Sequence, residues 1–537
     1  MDEKNFVVVI HVTDKAALKG AVESLQNLNL PPNFNVEIMT FQGNSKYHAY
    51  NYAMKNSKAK YKIYMDEQIV IHNKNILVDI LKIFEQDKSI GMIGCSGAIQ
   101  LSTHGVCINS SKRCGKIRLG NFGESLKDWG NIVGDYCEVE ALDGCFMATQ
   151  YDIPFDEELE YFSDAAQCIE FRRKNYKVVI PNQQNAWLCC RYSAWRIREI
   201  DKRNFLEKYS KYIFPLVSVI IPTFNRPKYF QEALESALNQ TYRNFEIVVS
   251  DDSTDNETEK LIQPYLEKYP CIKYFRNKGF TAHDNWNFLR KYNNPDAEYV
   301  NWLMDDDLFY PTKIEKMVEI YRNNPDVSLV TSSRNFIDAD GKIISSTKDF
   351  SSRDLKLNGD EAGRLLFQLD NYIGEPTTVL IRKKFLRDND LCWSAEHKGF
   401  FCLVDVSTWC QLLSQGNLFR YGEELCAFRR HEGQGQNWIY GGPLFAISFI
   451  KFFKMALDKK VFFHSENEIR EAIFFLLQYS LSHLRRAQMY NYHGEEVKSL
   501  EKYFAMLARS LNNGYKIELP KVTYSSQDKF NQIGGGN

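Results

Sequence analysis

Two groups of aspartates set the chemistry within reach of this chain. Asp251 and Asp252 lie in EIVVSDDSTD (246 to 255), and Asp305, Asp306 and Asp307 lie in NWLMDDDLFYP (301 to 311), each group closing an apolar run. Adjacent carboxylates raise one another's pKa and resist ionising together unless a cation stands nearby. Hard divalent ions such as Mg²⁺ or Mn²⁺ take oxygen ligands and share them with substrate phosphates. An isolated run of aspartates is most often a solvated loop; here its place at the end of an apolar run, matched by the earlier pair, points to a nucleotide and a divalent metal.

The elements that must position these acids are legible around them. VSVIIPTFNRP (217 to 227), EIVVS and YVNWLM read as buried parallel strands with polar residues just past their carboxyl ends, and NKGFTAHDNWN (277 to 287) follows a further strand. Open α/β sheets bind ligands at that edge. The same order occurs near the N-terminus, where NFVVVIHV, VEIMTF and YKIYMD alternate with helical segments. This predicts an internal duplication of an α/β unit of about 200 residues, each with a parallel half-sheet. The earlier copy lacks the acids of the later one: FQGNS (41 to 45) stands for SDDSTD, and MDEQIV (65 to 70) for MDDDLF, keeping Asp66 and Glu67. Asp164, in FDEELEYFSDAAQCIEFRRKNYKVVIP (155 to 181), opens a helix that leads into a strand.

The expected organisation is an N-terminal α/β domain over 1–190, a helical linker over 191–215, a second α/β domain over 216–438, a helical region over 439–525 and a tail over 526–537. VSLVTSSRNFIDADGKIIS (327 to 345) reads as a hairpin about Asp340-Gly341. Ser465 and Glu468 form a capping box ahead of a helix over 465–490.

Lys+Arg 67 against Asp+Glu 68 leaves a net charge of −1, which argues against a nucleic-acid partner. The first residues, MDEKNFVVVIHV, lack the basic start and longer apolar run of a secretory signal. The longest apolar candidate, 443 to 457, is broken by Lys451 and Lys454. Thirteen scattered cysteines form neither a disulfide framework nor a zinc pattern. A cytoplasmic protein is expected. LFAISFIKFFKMALDKKVFF, with four lysines, is the candidate for a peripheral contact with the inner membrane face.

IPTFNRP, SDDSTD, the Gly279/Asn285 segment and MDDD followed by Pro311 occur in the order and spacing of family 2 inverting glycosyltransferases of the GT-A fold, and the stretch 217 to 437 resembles that family. The resemblance implies two GT-A-like (Rossmann-like) mixed-sheet domains in tandem, since residues 5 to 190 resemble the same fold more weakly. It implies that Asp251 contacts the uracil of a UDP-sugar with Asp252 beside it. Pro222, Thr223, Asn225 and Arg226 would surround the nucleotide, with Gly279 and Asn285 in the same site. Asp305 to Asp307 match the DxD region. There Asp306 is the preferred metal ligand, joined by Asp307 and His431, with Asp305-x-Asp307 as the rival register. Asp405, in LVDVSTWCQLL, matches the base that activates the acceptor, although Val404 stands where the family has Glu. Arg429, Arg430 and His431, in FRRHEG, match a late motif at the diphosphate.

The resemblance further implies Mn²⁺ or Mg²⁺ as cofactor, a nucleotide-sugar donor, and a glycan, lipid-linked glycan or protein such as flagellin as acceptor. A homo-oligomer is compatible with it. His283, Asp284, Trp286 and WSAEH (393 to 397) are cleft candidates with equal claims as packing residues. The earlier copy reads as degenerate, with Asp66, Glu67 and Asp164 as its active residues if it is a second transferase. A non-catalytic nucleotide- or glycan-binding protein is the rival from another class. A nucleotidyltransferase is disfavoured because IPTFNRP is not a glycine-rich basic loop.

Overall fold

The computed structural model describes residues 2–43, 45–120, 123–191, 198–292, 294–347, 352–386, 403–431 and 438–520. It divides into two compact units, Met1–Phe214 and Pro215–Asn537.

In the first unit the runs rich in β-branched residues form the parallel strands Asn35–Phe41, Asp2–His11 and Ala59–Asp66, in that spatial order. Antiparallel Phe146–Thr149 then joins this half to Ile90–Ile93, which pairs in parallel with Lys177–Pro181. Asp14 caps the first crossover helix, Lys15–Gln26, through the Ala16 and Ala17 N–H groups. The second unit repeats the scheme. Phe245–Asp251, Leu216–Thr223 and Ala297–Trp302 are parallel neighbours. Antiparallel Leu380–Arg382 links them to Val327–Ile337, itself parallel to Asn417–Arg429. The second unit adds one outer parallel strand, Ile272–Arg276. The duplication is therefore real at the level of strand order, and in each copy one antiparallel strand turns a parallel half-sheet into a mixed sheet.

Two expectations change. The Glu199–Ile213 helix belongs to the first unit and is not a free connector: Phe205 is buried and stacks on Phe162 at 5.0 Å, and the Tyr209 hydroxyl donates to Asp156 at 2.8 Å. The apolar stretch considered for a membrane surface lies in the Trp438–Lys459 helix, and its Phe449, Ile450 and Phe453 are fully buried. They share one core with Phe367, Trp409, Ile473 and Leu476, so the face needed to lie on lipid is already covered by protein. No helix among the described residues is long and apolar enough to cross a membrane. The Asp340-Gly341 hairpin and the Ser465/Glu468 capping box both form as expected.

The terminal helices therefore complete the core of the second α/β unit. Removing the ring of Phe453 leaves a cavity against Phe367 and Phe463. Phe453→Ala is expected to destabilise this unit by about 3–5 kcal/mol, read as a lower urea midpoint with little change in the slope of the transition.

Candidate active site

The carboxyl ends of the parallel strands in the second unit bring the acids to one edge, and the surrounding loops are latched to each other. After Leu216–Thr223 the chain turns at Asn225, whose φ of 52° lies in the left-handed region that asparagine tolerates. Its N–H donates to Ser253 Oγ at 2.8 Å, and its side-chain oxygen accepts from the Thr254 N–H at 2.8 Å. Asn225 thus ties the first loop to the second. Pro227 then starts the Pro227–Leu238 helix, where a fixed φ and a missing N–H carry no penalty.

Asp251 is fully buried. It accepts from the Tyr274 hydroxyl at 2.6 Å and the Ser253 N–H at 2.8 Å, and pairs with Arg276 at 3.3 Å. Asp252 accepts from Asn285 Nδ2 at 2.6 Å, and burial, with Asp251 adding to it, pushes its carboxyl up to about 6. Asn285 also donates to the Ser250 carbonyl. Gly279 has a φ of 83° in a turn closed by Phe280 N–H to Asn277 O, and a Cβ there would meet open space, so backbone conformation is what calls for glycine. Pro222 and Thr223 form the last rungs of their strand, opposite Ser250 and Asp251.

The three consecutive aspartates part company. Asp305 accepts from the Phe224 N–H at 3.3 Å, and burial followed by the charge of Asp306 pushes it up to about 7. Asp306 Oδ2 lies 3.1 Å from Arg226 and 3.0 Å from His431 Nε2. Asp307 turns to other partners, accepting from Thr377 Oγ1 at 2.5 Å and from the Arg429 N–H at 3.0 Å. Of the aspartates, Asp306 alone is brought to His431, and Asp307 is occupied in holding Thr377 and Arg429.

A hard divalent ion with ligand bonds of about 2.1 Å sets neighbouring octahedral ligand atoms about 3 Å apart, which is the spacing of Asp306 Oδ2 and His431 Nε2. Mg²⁺ commonly takes one or two protein ligands and completes its shell with phosphates and water, so this pair fits such an ion. Among the described residues no cluster of three His, Cys, Asp or Glu side chains forms a metal site.

Arg429 takes a part other than the one its motif implies. It is fully buried, its Nε donates to the Asp306 carbonyl at 2.8 Å, and its terminal nitrogens hold Glu232 at 2.5 Å and the Ala339 carbonyl at 3.1 Å. With its donors so engaged it anchors the aspartate loop and does not reach a diphosphate. Arg430 is exposed and stacks on Phe336 at 3.9 Å. His431 packs on Tyr229 at 5.0 Å, which aims its ring at Asp306.

Asp405 occupies the first turn of the Val404–Leu413 helix, entered through Leu403 at a φ of 55°. Asn371 Nδ2 donates to Asp405 Oδ2 at 2.9 Å, and the indole N–H of Trp409 holds the Gly374 carbonyl at 3.1 Å. Burial, with Glu375 and Asp370 adding to it, pushes the Asp405 carboxyl up to about 6. The carboxylate borders a small apolar cavity of about 20 Å³ that includes Trp286 and Trp302. Trp286 thus lies beside Asp405. Asp284 caps its own helix in a box with Thr281, while the His283 side chain and residues 393–397 lie outside the described residues.

Asn371, Thr377, Tyr274 and Arg276 escaped sequence reasoning. The stretch NYIGEPTT (371 to 378) was the available signal, since a glycine and a proline around an acid mark a fixed turn beside the sheet. Gly374 has a φ of 108°, and a Cβ there would come within 2.7 Å of Arg334.

Residues 7–211 match the family described as glycosyltransferase like family, and residues 218–389 match glycosyl transferase family 2. The chain carries two glycosyltransferase-type domains in tandem. The second belongs to glycosyl transferase family 2, with Asp405 and His431 beyond the matched stretch. An uncharacterized glycosyltransferase of Rickettsia typhi is 32% identical over 230 residues, covering 42% of this chain and 66% of the relative. GalNAc(5)-diNAcBac-PP-undecaprenol beta-1,3-glucosyltransferase of Campylobacter jejuni is 29% identical over 175 residues, covering 33% of this chain and 54% of the relative. TarS of S. aureus aligns at a TM-score of 0.37 with 16% identity over 56% of this chain and 54% of that one. The chain spans 66% and 54% of the length of these two curated relatives.

The buried anchor is separable from the reacting groups. Arg429→Gln is expected to lower stability by about 2–3 kcal/mol, the range for hydrogen bonds to a charged group. The effect is read as a lower thermal midpoint that bound nucleotide does not restore.

Proposed function

We propose that the second unit transfers a sugar from a nucleotide sugar, UDP-linked, to an acceptor hydroxyl with inversion at the anomeric carbon. The observation that carries this reading is Asp405: a carboxylate pushed up to about 6 by burial, held by Asn371 beside a small cavity lined by two indoles. It is suited to take a proton from a hydroxyl, because a base works best with a pKa near the working pH. As that proton moves to Asp405, the acceptor oxygen bonds to the anomeric carbon, and the bond from that carbon to the diphosphate breaks with its electrons leaving on the nucleotide. Asp306 and His431 would hold Mn²⁺ or Mg²⁺, which supplies Lewis-acid stabilisation of the departing diphosphate. Arg226, already beside Asp305 and Asp306, adds a fixed positive charge at the same edge.

The acceptor in this reading is a surface glycan, a lipid-linked glycan or a protein such as flagellin. The Campylobacter relative is named for a lipid-linked glycan acceptor, which favours the second. The same reading places the reaction in the cytoplasm, with lipid-linked acceptors met at the inner membrane face.

Nucleotide release from UDP-, GDP- and dTDP-sugars, with and without Mn²⁺, tests the proposal. Release from one donor is expected to need the metal and to fall about 10²–10⁴-fold in Asp405→Asn. Asp306→Ala should lose both metal dependence and donor affinity. Metal-dependent turnover that survives Asp405→Asn would remove the base from this mechanism.

The pH dependence has a definite sign. Asp405 must be ionised to accept a proton, so kcat/KM is expected to rise with pH through about 6 and to lose that limb in Asp405→Asn. Its folded pKa is raised above the ordinary aspartate value near 4. The folded state therefore holds this proton more tightly, and its contribution makes stability fall as pH rises from about 4 to about 6. Asp405→Asn removes that loss, and at pH 7 the variant is expected to melt above the wild type in a calorimetric scan.

A further inference from the structure

The first unit repeats the strand order of the second, and the repeat can be followed to individual carboxylates. In both units the third parallel strand runs to an acidic end, at Asp66 after Ala59–Asp66 and at Asp305 to Asp307 after Ala297–Trp302. In both, the antiparallel central strand is followed by a helix that precedes the last parallel strand, and an aspartate is the second residue of that helix: Asp164 in Ser163–Arg173, Asp405 in Val404–Leu413. Burial pushes the Asp164 carboxyl up to about 6, as it does that of Asp405.

The two ends differ in their cation. Lys46 Nζ sits 2.5 Å from Asp66, with its charge 5.7 Å from the ring centres of both Tyr47 and Tyr50. Glu67 is committed elsewhere, accepting from Thr13 Oγ1 at 2.5 Å and from the Thr13 and Asp14 N–H groups. A single carboxylate, already held by an ammonium, replaces the Asp306/His431 pair of the second unit. Lys46 and Asp66 also act on Asp164, one lowering and the other raising its pKa, so the three groups share one electrostatic environment. Lys46 and Asp66 remain in partial contact with solvent, at 20% and 15% side-chain exposure.

Two deeply buried polar atoms that lack a hydrogen-bond partner among the described residues belong to residues linked to Asp164. One is Oγ of Ser163, beside Asp164 in sequence. The other is Nε of Arg113, whose terminal nitrogen holds Asp143 at 2.5 Å, and Gly144, next along, donates its N–H to Asp164. Buried polar atoms rarely go unpaired, and a bound molecule or an ordered water would supply the partner.

We propose that the first unit holds a second nucleotide-sugar site that works without a metal ion, with Lys46 as the cation for the diphosphate and Asp164 as the base for the acceptor. The acceptor hydroxyl gives its proton to Asp164, its oxygen bonds to the anomeric carbon, and the bond to the diphosphate breaks, with the electron pair leaving on a nucleotide whose charge Lys46 meets. The first strand-end loops lack the aspartate pair that Asp251 and Asp252 supply in the second unit, so base selectivity here is expected to differ. The chain would then add two sugars by two separable reactions.

Equilibrium dialysis of the full chain with labelled UDP, GDP and dTDP, in Mn²⁺ and in EDTA, tests this. One nucleotide per chain is expected to stay bound in EDTA, weakened tenfold or more in Lys46→Met, restored in Lys46→Arg and retained in Asp306→Ala. Absence of EDTA-resistant binding for all three nucleotides, or such binding unaffected by Lys46→Met, overturns the site. Release from the matching nucleotide sugar in EDTA should fall at least 10²-fold in Asp164→Asn while binding persists; release unchanged in that variant overturns the role of Asp164. The metal-dependent reaction is scored in parallel through Asp306→Ala and Asp405→Asn, so the failure of one site is distinguishable from the failure of the other.

Discussion

The second unit depends on how it pays for crowding carboxylates at one sheet edge. Asp251, Asp252, Asp305, Asp306 and Asp307 are all at least nine-tenths buried, and charge in such places is unfavourable unless each oxygen finds a donor or the proton stays on. The structure uses both remedies. Asp251 is matched to fixed donors, Asp252 and Asp305 are pushed up to about 6 and about 7, and Asp307, although held by Thr377 and Arg429, is also raised well above the ordinary aspartate range by burial and then by Asp306. Asp306 lies against the side chains of His431 and Arg226.

Arg429 makes this arrangement possible from behind. Arg429 fixes the direction in which Asp306 and Asp307 point: its buried guanidinium grips the Asp306 carbonyl and reaches Glu232 across the loop, and its backbone N–H donates to Asp307. The geometry is that of a fork with several rigid donors, which lysine could not reproduce. Adjacent residues of one motif therefore serve opposite ends: Arg429 builds the loop, and His431, two residues on, faces the site.

Much of this was legible in the chain. The parallel strands, the duplication and the place of Asp305 to Asp307 at a strand end follow from apolar runs and what ends them, because burial on both faces of a parallel sheet leaves few other readings; Asp405 was reached only through the family resemblance. The orientation of side chains within a motif was not legible. Nothing in DDD says that the third aspartate turns to Thr377, or that the arginine of FRRH turns inward, since those choices are made by residues 70 and 122 positions away in sequence. The terminal helices failed for the opposite reason: an apolar stretch studded with lysines reads alike whether it meets lipid or a protein core, and only the presence of Phe367 and Trp409 opposite decides between them.

The duplication shows which parts of the fold carry constraint and which are free to change. Both copies keep the antiparallel strand at the centre, the helix after it and the aspartate at that helix's second position, all of which are fixed by the backbone path. The residues past the strand ends are not fixed in this way, because loops there add nothing to the sheet's own hydrogen bonding. In one copy the strand-end acid is met by a lysine clamped between tyrosines, in the other by an arginine and a histidine. A lysine so placed keeps its charge because Asp66 and the two phenols outweigh the cost of its burial. A histidine keeps the choice between proton and metal. One scaffold thus holds an aspartate at the same helix position in both copies while the acid at the neighbouring strand end meets two different kinds of positive charge.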